Sequence, residues 1–465
     1  MFSHNRFLNK FILSYLVFAV IAFSILMFSY QNTLSCYGFS DDYTVFNQVL
    51  NDSFLTGFLA LGRPLHGVFT RATFGLCDSI CELRYVRMIS IIGIALFGLL
   101  LFRAFRLSGW GKLESGCFAI ATCLMPAYEV YAAWAIEFIH PYAMGLSFIA
   151  CELCLRSYGL QGFKNVWHKK ATMIFVCIVF LLASLSMYQP AVQAFWLFVA
   201  IALFRPDEND ADLLRKFTFC LTIFSVSVIV YLILYKANIW PFTVEPIGRS
   251  RLTTDPLSKF LWFFEEPLFD TLSLTMVLAK KNTIIFTATV TLSFIFFGLY
   301  RRIKRIPYGK YRFLSLFLCL PALAYQSNLA SAESFSAFRT QAALSGLILF
   351  YILLAFKEVF QGVLKNFVLL GGVAACVAMA YQNVTNGFVI PQKQELSLLR
   401  HSTAAALTSR LDKIALIRPS LKDSIAERLR YDEFGLPSTY QPWVPIPLIK
   451  IILKEMNVKN ENRVK

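Results

Sequence analysis

Charge is what this sequence has least of. Only 15% of its 465 residues are charged, five are histidine, and 57% are apolar. Mean hydropathy is +0.58. A soluble fold has too much surface relative to its volume to hide that apolar fraction from water. Disorder, a coiled coil and a cytosolic enzyme are excluded on the same ground. No internal repeat and no low-complexity tract is visible. What remains is an all-α polytopic membrane protein, unusually rich in phenylalanine, with 46.

Acidic residues are scarcer than basic ones, 28 against 44. In a soluble protein that excess would suggest nucleic acid. In a membrane protein, basic residues gather at the cytoplasmic ends of helices and meet anionic lipid headgroups, so no nucleic-acid partner is expected.

A spanning helix needs about 20 mostly apolar residues. Eleven such spans are predicted, near 11–30, 84–102, 114–130, 140–155, 171–188, 190–204, 217–235, 282–300, 313–327, 338–356 and 366–382. The third, fourth, sixth and ninth are short or interrupted by polar residues. The first follows a basic flank, HNRFLNK, and lacks a small-x-small cleavage site, which predicts an uncleaved anchor. RAFRLSGWGK, RSYGLQGFKNVWHKK, RPDENDADLLRK and RRIKRIPYGKYR then fall on one side, whereas the turns at 131–139 and 189 carry no Lys or Arg. The dense cluster Arg301, Arg302, Lys304 and Arg305 belongs inside. The expectation is a multi-pass protein of the bacterial inner membrane, N-terminus inside and C-terminus outside.

Outward segments are then 31–83, 236–281 and 383–465. The transmembrane domain is read as 1–382, and 383–465 as a small, mainly helical outer tail of 13 basic and 8 acidic residues. Within that tail, 396–414 has helical apolar spacing and GLPSTYQPWVPIP breaks regular structure. Of eleven cysteines, Cys36, Cys77 and Cys81 lie in the first outer loop, where one disulfide among the three is compatible with an oxidising compartment. No familiar zinc-ligand pattern is present.

The first outer loop holds two readings of the same residues. Phe46, Val49, Leu50, Phe54, Leu55, Phe58 and Leu61 predict a helix along the membrane surface. Ser40, Asp41 or Asp42 at its start can cap it. Alternatively, a carboxylate there can act as general base on a sugar hydroxyl. Arg63, set between Gly62 and Pro64, either neutralises a departing phosphate or reaches to lipid headgroups.

An N-terminal span, then DDY at 41–43, then GRPL at 62–65, with SMYQPAVQAF at 186–195, resembles the polytopic glucosyltransferases that modify bacterial O-antigen and convert serotype. The motifs occupy a small part of the chain, and the likeness extends over the rest in topology. The resemblance implies an enzyme of the GT-C type, a hexosyltransferase taking a sugar from a polyprenyl-phosphate carrier. In that family the donor is commonly undecaprenyl-phosphate glucose, and the acceptor is a lipopolysaccharide O-antigen or another surface glycan. It implies Asp41 or Asp42 as catalytic carboxylate, with Tyr43 and Arg63 as substrate contacts. It implies no metal and no cofactor, and the loop has no D-x-D pair. A flippase and a cytoplasmic donor-making glycosyltransferase are the partners it suggests.

Further candidates lie at the same membrane edge. Glu129 and Glu137 flank a turn, and ionisable groups at that depth are functional by default unless simply wet. Glu137 is the third catalytic candidate, and Trp134 can stack on a sugar. Tyr188 and Gln189 suit sugar hydroxyls or an aromatic belt. Arg339 can grip the carrier phosphate or snorkel, while Arg249 and Arg251 are weaker candidates. His140 reads as a helix-start residue. Two rivals stand beside this reading: an O-antigen polymerase or ligase, whose main outer loop usually comes late, and a lipid-linked glycan transporter, which would show repeat symmetry.

Overall fold

The computed structural model describes residues 2–51, 53–160, 166–205, 212–236, 251–306, 309–408 and 433–456. All of the regular structure among them is helical. Among the described residues, eight helices are long and apolar enough to cross a membrane, or nine if the bent pair Lys112–Thr122 and Pro126–Ala133 counts as one span. The expected eleven is therefore higher by two or three. Each expected span does coincide with helix, but three are compromised. α6 (Lys112–Thr122) and α7 (Pro126–Ala133) bend by 57°. Gln189–Leu203 is short. α16 (Lys310–Leu323) has 14 residues with Pro321 inside. Pro126 at the first turn of α7 explains the bend, because proline starts a helix well but cannot continue one.

α5 (Leu83–Leu107) packs against α1 (Phe2–Tyr30), α6, α7 and α8 (His140–Gly159). Phe18 of α1 stacks on Phe102 of α5 with ring centres 4.2 Å apart. α15 (Lys281–Arg305) presses on α18 (Ala342–Val359) through Gly298, where a Cβ would come within 2.2 Å of that of Ala355. With hydrocarbon outside, close packing of small residues takes over the part that water expulsion plays in soluble cores.

Polar contacts sort the helix ends into two groups. Arg103 bonds Glu152 at 2.8 Å, Arg302 donates to the carbonyl of Arg205 at 2.8 Å, Arg305 reaches Glu358 at 2.9 Å, and Lys365 pairs with Glu114. These residues form one end of the bundle, the basic end. The other end collects the close of α1, the start of α5, the turn before α8, the residues after α9 (Val166–Met187), and the start of α18. α12 (Leu213–Lys236) reaches it too, since Tyr235 donates to the carbonyl of Ala60 at 2.7 Å. Every described candidate discussed below except Glu129 and Arg251 gathers at this second end.

The first loop is not one surface helix but three short ones: α2 (Asp41–Gln48), α3 (Phe54–Ala60) and α4 (Pro64–Phe74). Its entry is tied to α5 twice. Cys36 and Cys81 form a disulfide, leaving Cys77 as a thiol. The fully buried Arg87 donates to the carbonyls of Thr33 (2.6 Å), Ser35 (2.7 Å) and Tyr37 (3.1 Å). α19 (Gly362–Val384) passes through a π-turn, Thr385–Val389, directly into α20 (Ile390–Thr408). The expected tail helix is thus present to residue 408; its last expected residues, 409–414, lie outside the described residues. In the Pro-rich stretch a single 3-10 turn, Ser438–Tyr440, precedes α21 (Pro445–Glu455).

Candidate active site

Asp41 and Asp42 are neighbours in sequence with different surroundings. Asp42 is fully buried. One carboxylate oxygen accepts from Phe39 N (3.0 Å) and Ala135 N (3.3 Å), the other from Ile136 N (3.0 Å). Burial pushes its carboxyl up to about 7, with Arg87 and these N–H groups pulling the other way. Asp41 is partly exposed, and its Oδ1 accepts from the indole N–H of Trp443 at 2.6 Å. Ser40 makes no capping bond with its side chain and stands at φ 45°, so capping does not account for the serine. Tyr43 is buried, and its hydroxyl accepts the N–H of Gly38 at 3.2 Å.

Arg63 stands immediately before α4, after a left-handed Gly62 (φ 71°). A side chain at 62 would come within 2.3 Å of the Tyr231 hydroxyl, so glycine is required there twice over. The Tyr231 hydroxyl donates to the Gly62 carbonyl at 2.6 Å. Gln189 binds the same turn through its amide, giving to Leu61 O (3.0 Å), and its Oε1 receives Arg63 Nε (2.9 Å). The Arg63 guanidinium lies 4.6 Å over the Tyr188 ring.

From Tyr188 the contacts continue inward. Its ring stacks on His140 at 3.6 Å. His140 Nδ1 lies 2.5 Å from Glu137 Oε2. Glu137 Oε1 faces Arg339 Nε at 3.7 Å. Arg339 lies 4.8 Å over the Trp134 ring and donates to Glu433 at 2.7 Å. His66 stands edge-on to His140 at 5.4 Å and contacts the Ile136 carbonyl at 3.0 Å. Burial first, then the neighbouring Arg63, lowers His66 to about 3, so it is neutral.

The structure therefore joins Arg63, Tyr188, His140, Glu137, Arg339 and Trp134 into one chain of contacts. Asp42 braces the backbone beside it, and Asp41 lies within electrostatic reach of Glu137. Gln189 positions Arg63. Glu129 is elsewhere: it is fully buried in the bundle, where Asn383 donates to it at 3.2 Å. Arg251 is exposed beside an isolated bridge between Leu252 and Ser331. Arg249 lies outside the described residues. Among the described residues, no group of three His, Cys, Asp or Glu could hold a metal ion.

Sequence reasoning passed over Glu433 and Trp443. Both sit in a tail with no motif, and each meets its partner across a sequence separation of 94 and 402 residues respectively. No local pattern marks such a contact. Arg87 was hidden in the same way, as one arginine at the start of a span.

No protein-family model matches the sequence, and no curated protein matches it. Among solved structures, the chain is similar to the oligosaccharyltransferase of Archaeoglobus fulgidus, crystallised with zinc and sulfate. The likeness has 13% identity and a TM-score of 0.42, and covers 83% of this chain and 55% of that one. The chain thus spans about half the length of the structure it matches. At that level the comparison assigns no residue of the site.

Proposed function

We propose that the protein is a multi-pass glycosyltransferase of the GT-C type. It moves a hexose, glucose on the family resemblance, from undecaprenyl phosphate to an O-antigen or another surface glycan. The reaction takes place on the outer face of the bacterial cytoplasmic membrane. The observation that carries this is the convergence of Asp41, Arg63, Glu137, Tyr188 and Arg339, from separate segments, at the end opposite the basic one. Ionisable groups gathered at a membrane edge mark a site for charged chemistry rather than packing.

Asp41 is the better base of the acidic pair, since Asp42 is held on both oxygens by backbone. Its carboxylate takes the acceptor hydroxyl proton as that oxygen bonds to the anomeric carbon. The carbon–oxygen bond to the carrier phosphate breaks, and the phosphate leaves as an anion. Arg63 meets it: Gln189 holds Nε and Tyr188 supports the plane, so the two terminal nitrogens of a half-buried guanidinium face the phosphate. Arg339, balanced by Glu137 and Glu433, forms the wall behind. Trp134, Tyr188 and Glu137 are buried beneath the two arginines and back the sugar site from behind.

The test is transfer of radiolabelled glucose from undecaprenyl-phosphate glucose to membrane glycan by the purified full-length protein. Asp41→Asn should cut the rate by about 10²–10⁴-fold, the usual worth of a general base. Wild-type rate in Asp41→Asn, or no transfer by the wild type, would sink the reading.

A further inference from the structure

The segment 433–443 touches the site at both ends, and beyond the Glu433 carboxylate that balances Arg339 nothing in the mechanism above uses it. At its start, Glu433 is 1% exposed and accepts from Phe338 N at 2.7 Å and Arg339 Nη1 at 2.7 Å. Phe434 packs edge-on against Phe338 and Phe388. In the middle, Ser438 Oγ accepts the backbone N–H of Ser40, the residue before Asp41, at 2.9 Å, and itself donates to Gln392 at 2.6 Å. Glu395 accepts the N–H groups of Ser438 (2.7 Å) and Thr439 (2.9 Å). At its end, the Trp443 indole gives its N–H to Asp41 Oδ1 at 2.6 Å.

We propose that Trp443 is a positioning residue for Asp41, and that Glu433 and Ser438 latch the segment that carries it. The inference rests on the reading of Asp41 as the base. A carboxylate on the first turn of a short helix can swing about χ1 and χ2, and each orientation presents different lone pairs. One fixed donor on one oxygen removes that freedom before substrate arrives, which is the part of catalysis that comes from orientation. An indole suits the task. It donates but cannot accept, so it holds the carboxylate without competing for the acceptor's proton. The bond is short, as a charge-assisted one should be. Apart from one backbone bond, Gly435 N to Gly387 O at 2.6 Å, the segment is held through side chains, and the latch brings Ser40, Arg339 and Trp443 to one frame.

The experiment uses the full-length protein, the same glucose-transfer assay, and Trp443→Phe, which keeps a ring and removes the donor. Trp443 is 46% exposed, so the variant should fold, with formation of the Cys36–Cys81 bridge as the check. The expected result is a fall in kcat of about tenfold, the size of a lost hydrogen bond to a charged group. KM for the donor should stay within about twofold. In an Asp41→Asn background, Trp443→Phe should cost nothing further, because partners acting through one group are not additive. Glu433→Gln, which weakens the latch but leaves the indole, should lower kcat in the same direction. Wild-type kcat in Trp443→Phe overturns the proposal, as does a further tenfold loss on top of Asp41→Asn. A change in KM alone would mean that the indole binds substrate instead. Activity retained by Asp41→Asn is a different outcome, because it removes the base itself and with it the functional reading.

Discussion

Asp42 and Ile136 are joined by a 3.0 Å bond from a backbone N–H to a carboxylate oxygen, across 94 residues of sequence. With the bonds from Ala135 and Phe39, it makes Asp42 a bracket between the first loop and the turn that carries Glu137. The acidic pair therefore has two settings: one carboxylate braces backbone, and the other, the base in the proposed reaction, meets the Trp443 indole.

The bracket predicts an asymmetry that helix capping does not. An Asn at a cap is nearly as good as Asp. At 42, however, both oxygens receive N–H groups, and Asn would set its own NH₂ against one set of them. Asp42→Asn should cost about 1–3 kcal/mol of stability, the usual range for a buried group left unsatisfied. Unfolding of the detergent-solubilised variant, followed by heat, measures it.

The same residue predicts a pH dependence. Burial raises its carboxyl from 3.8 to about 7 in the folded protein. A folded state that holds the extra proton is favoured at low pH. The stabilising contribution is whole below about 4 and is lost as pH rises through about 7. The unfolding midpoint of the wild type should fall over that window relative to Asp42→Asn, which has no proton to lose. Parallel curves would refute it.

The bridge between Cys36 and Cys81 closes a sequence separation of 45. Loop-closure entropy puts its worth at about 4 kcal/mol. Cys36→Ser or Cys81→Ser should lower stability strongly, whereas Cys77→Ser should leave it nearly unchanged. Thiol labelling of the native protein, before and after reduction, distinguishes the pairing from the alternatives with Cys77.

Arg87 gives three separate nitrogens to three carbonyls and lies 4.0 Å over the Tyr37 ring. A lysine concentrates its donors at one point and has no planar face. Arg87→Lys should cost about 3 kcal/mol, through carbonyls left without donors. It should also loosen the entry to the first loop, seen as faster hydrogen exchange over 33–39.

Arg63→Lys retains the charge but loses the Nε bond to Gln189 and the flat contact with Tyr188. A phosphate contact that depends on the fork should fail, with transfer falling by about tenfold or more. A purely headgroup-facing arginine would tolerate lysine, and an unchanged transfer rate would assign Arg63 to that role.

Much of this could be read from the residues themselves. Apolar composition decided that the chain is helical and lies in a membrane, because burying backbone polar groups in hydrocarbon leaves helices as the natural solution for a sequence of long apolar runs. The clustering of Arg301, Arg302, Lys304 and Arg305 at the close of α15 needs only local sequence. DDY, GRPL and the Tyr188–Gln189 pair were visible as motifs, since each is a run of neighbours. Hydropathy alone counts eleven apolar stretches, whereas eight or nine helices among the described residues are long enough to cross, because hydropathy does not register that Pro126 and Pro321 bend or shorten helices.

Only tertiary structure decided how the site is put together. Composition treats Asp41 and Asp42 alike; their surroundings differ because the turn at 134–136 aims its N–H groups at Asp42. Likewise Glu433 and Trp443 acquire meaning only once residues hundreds apart are packed side by side. The physical reason is the range of the forces. Helix formation and membrane insertion are decided within about 20 residues. A hydrogen bond acts over about 3 Å of space and takes no account of distance along the chain.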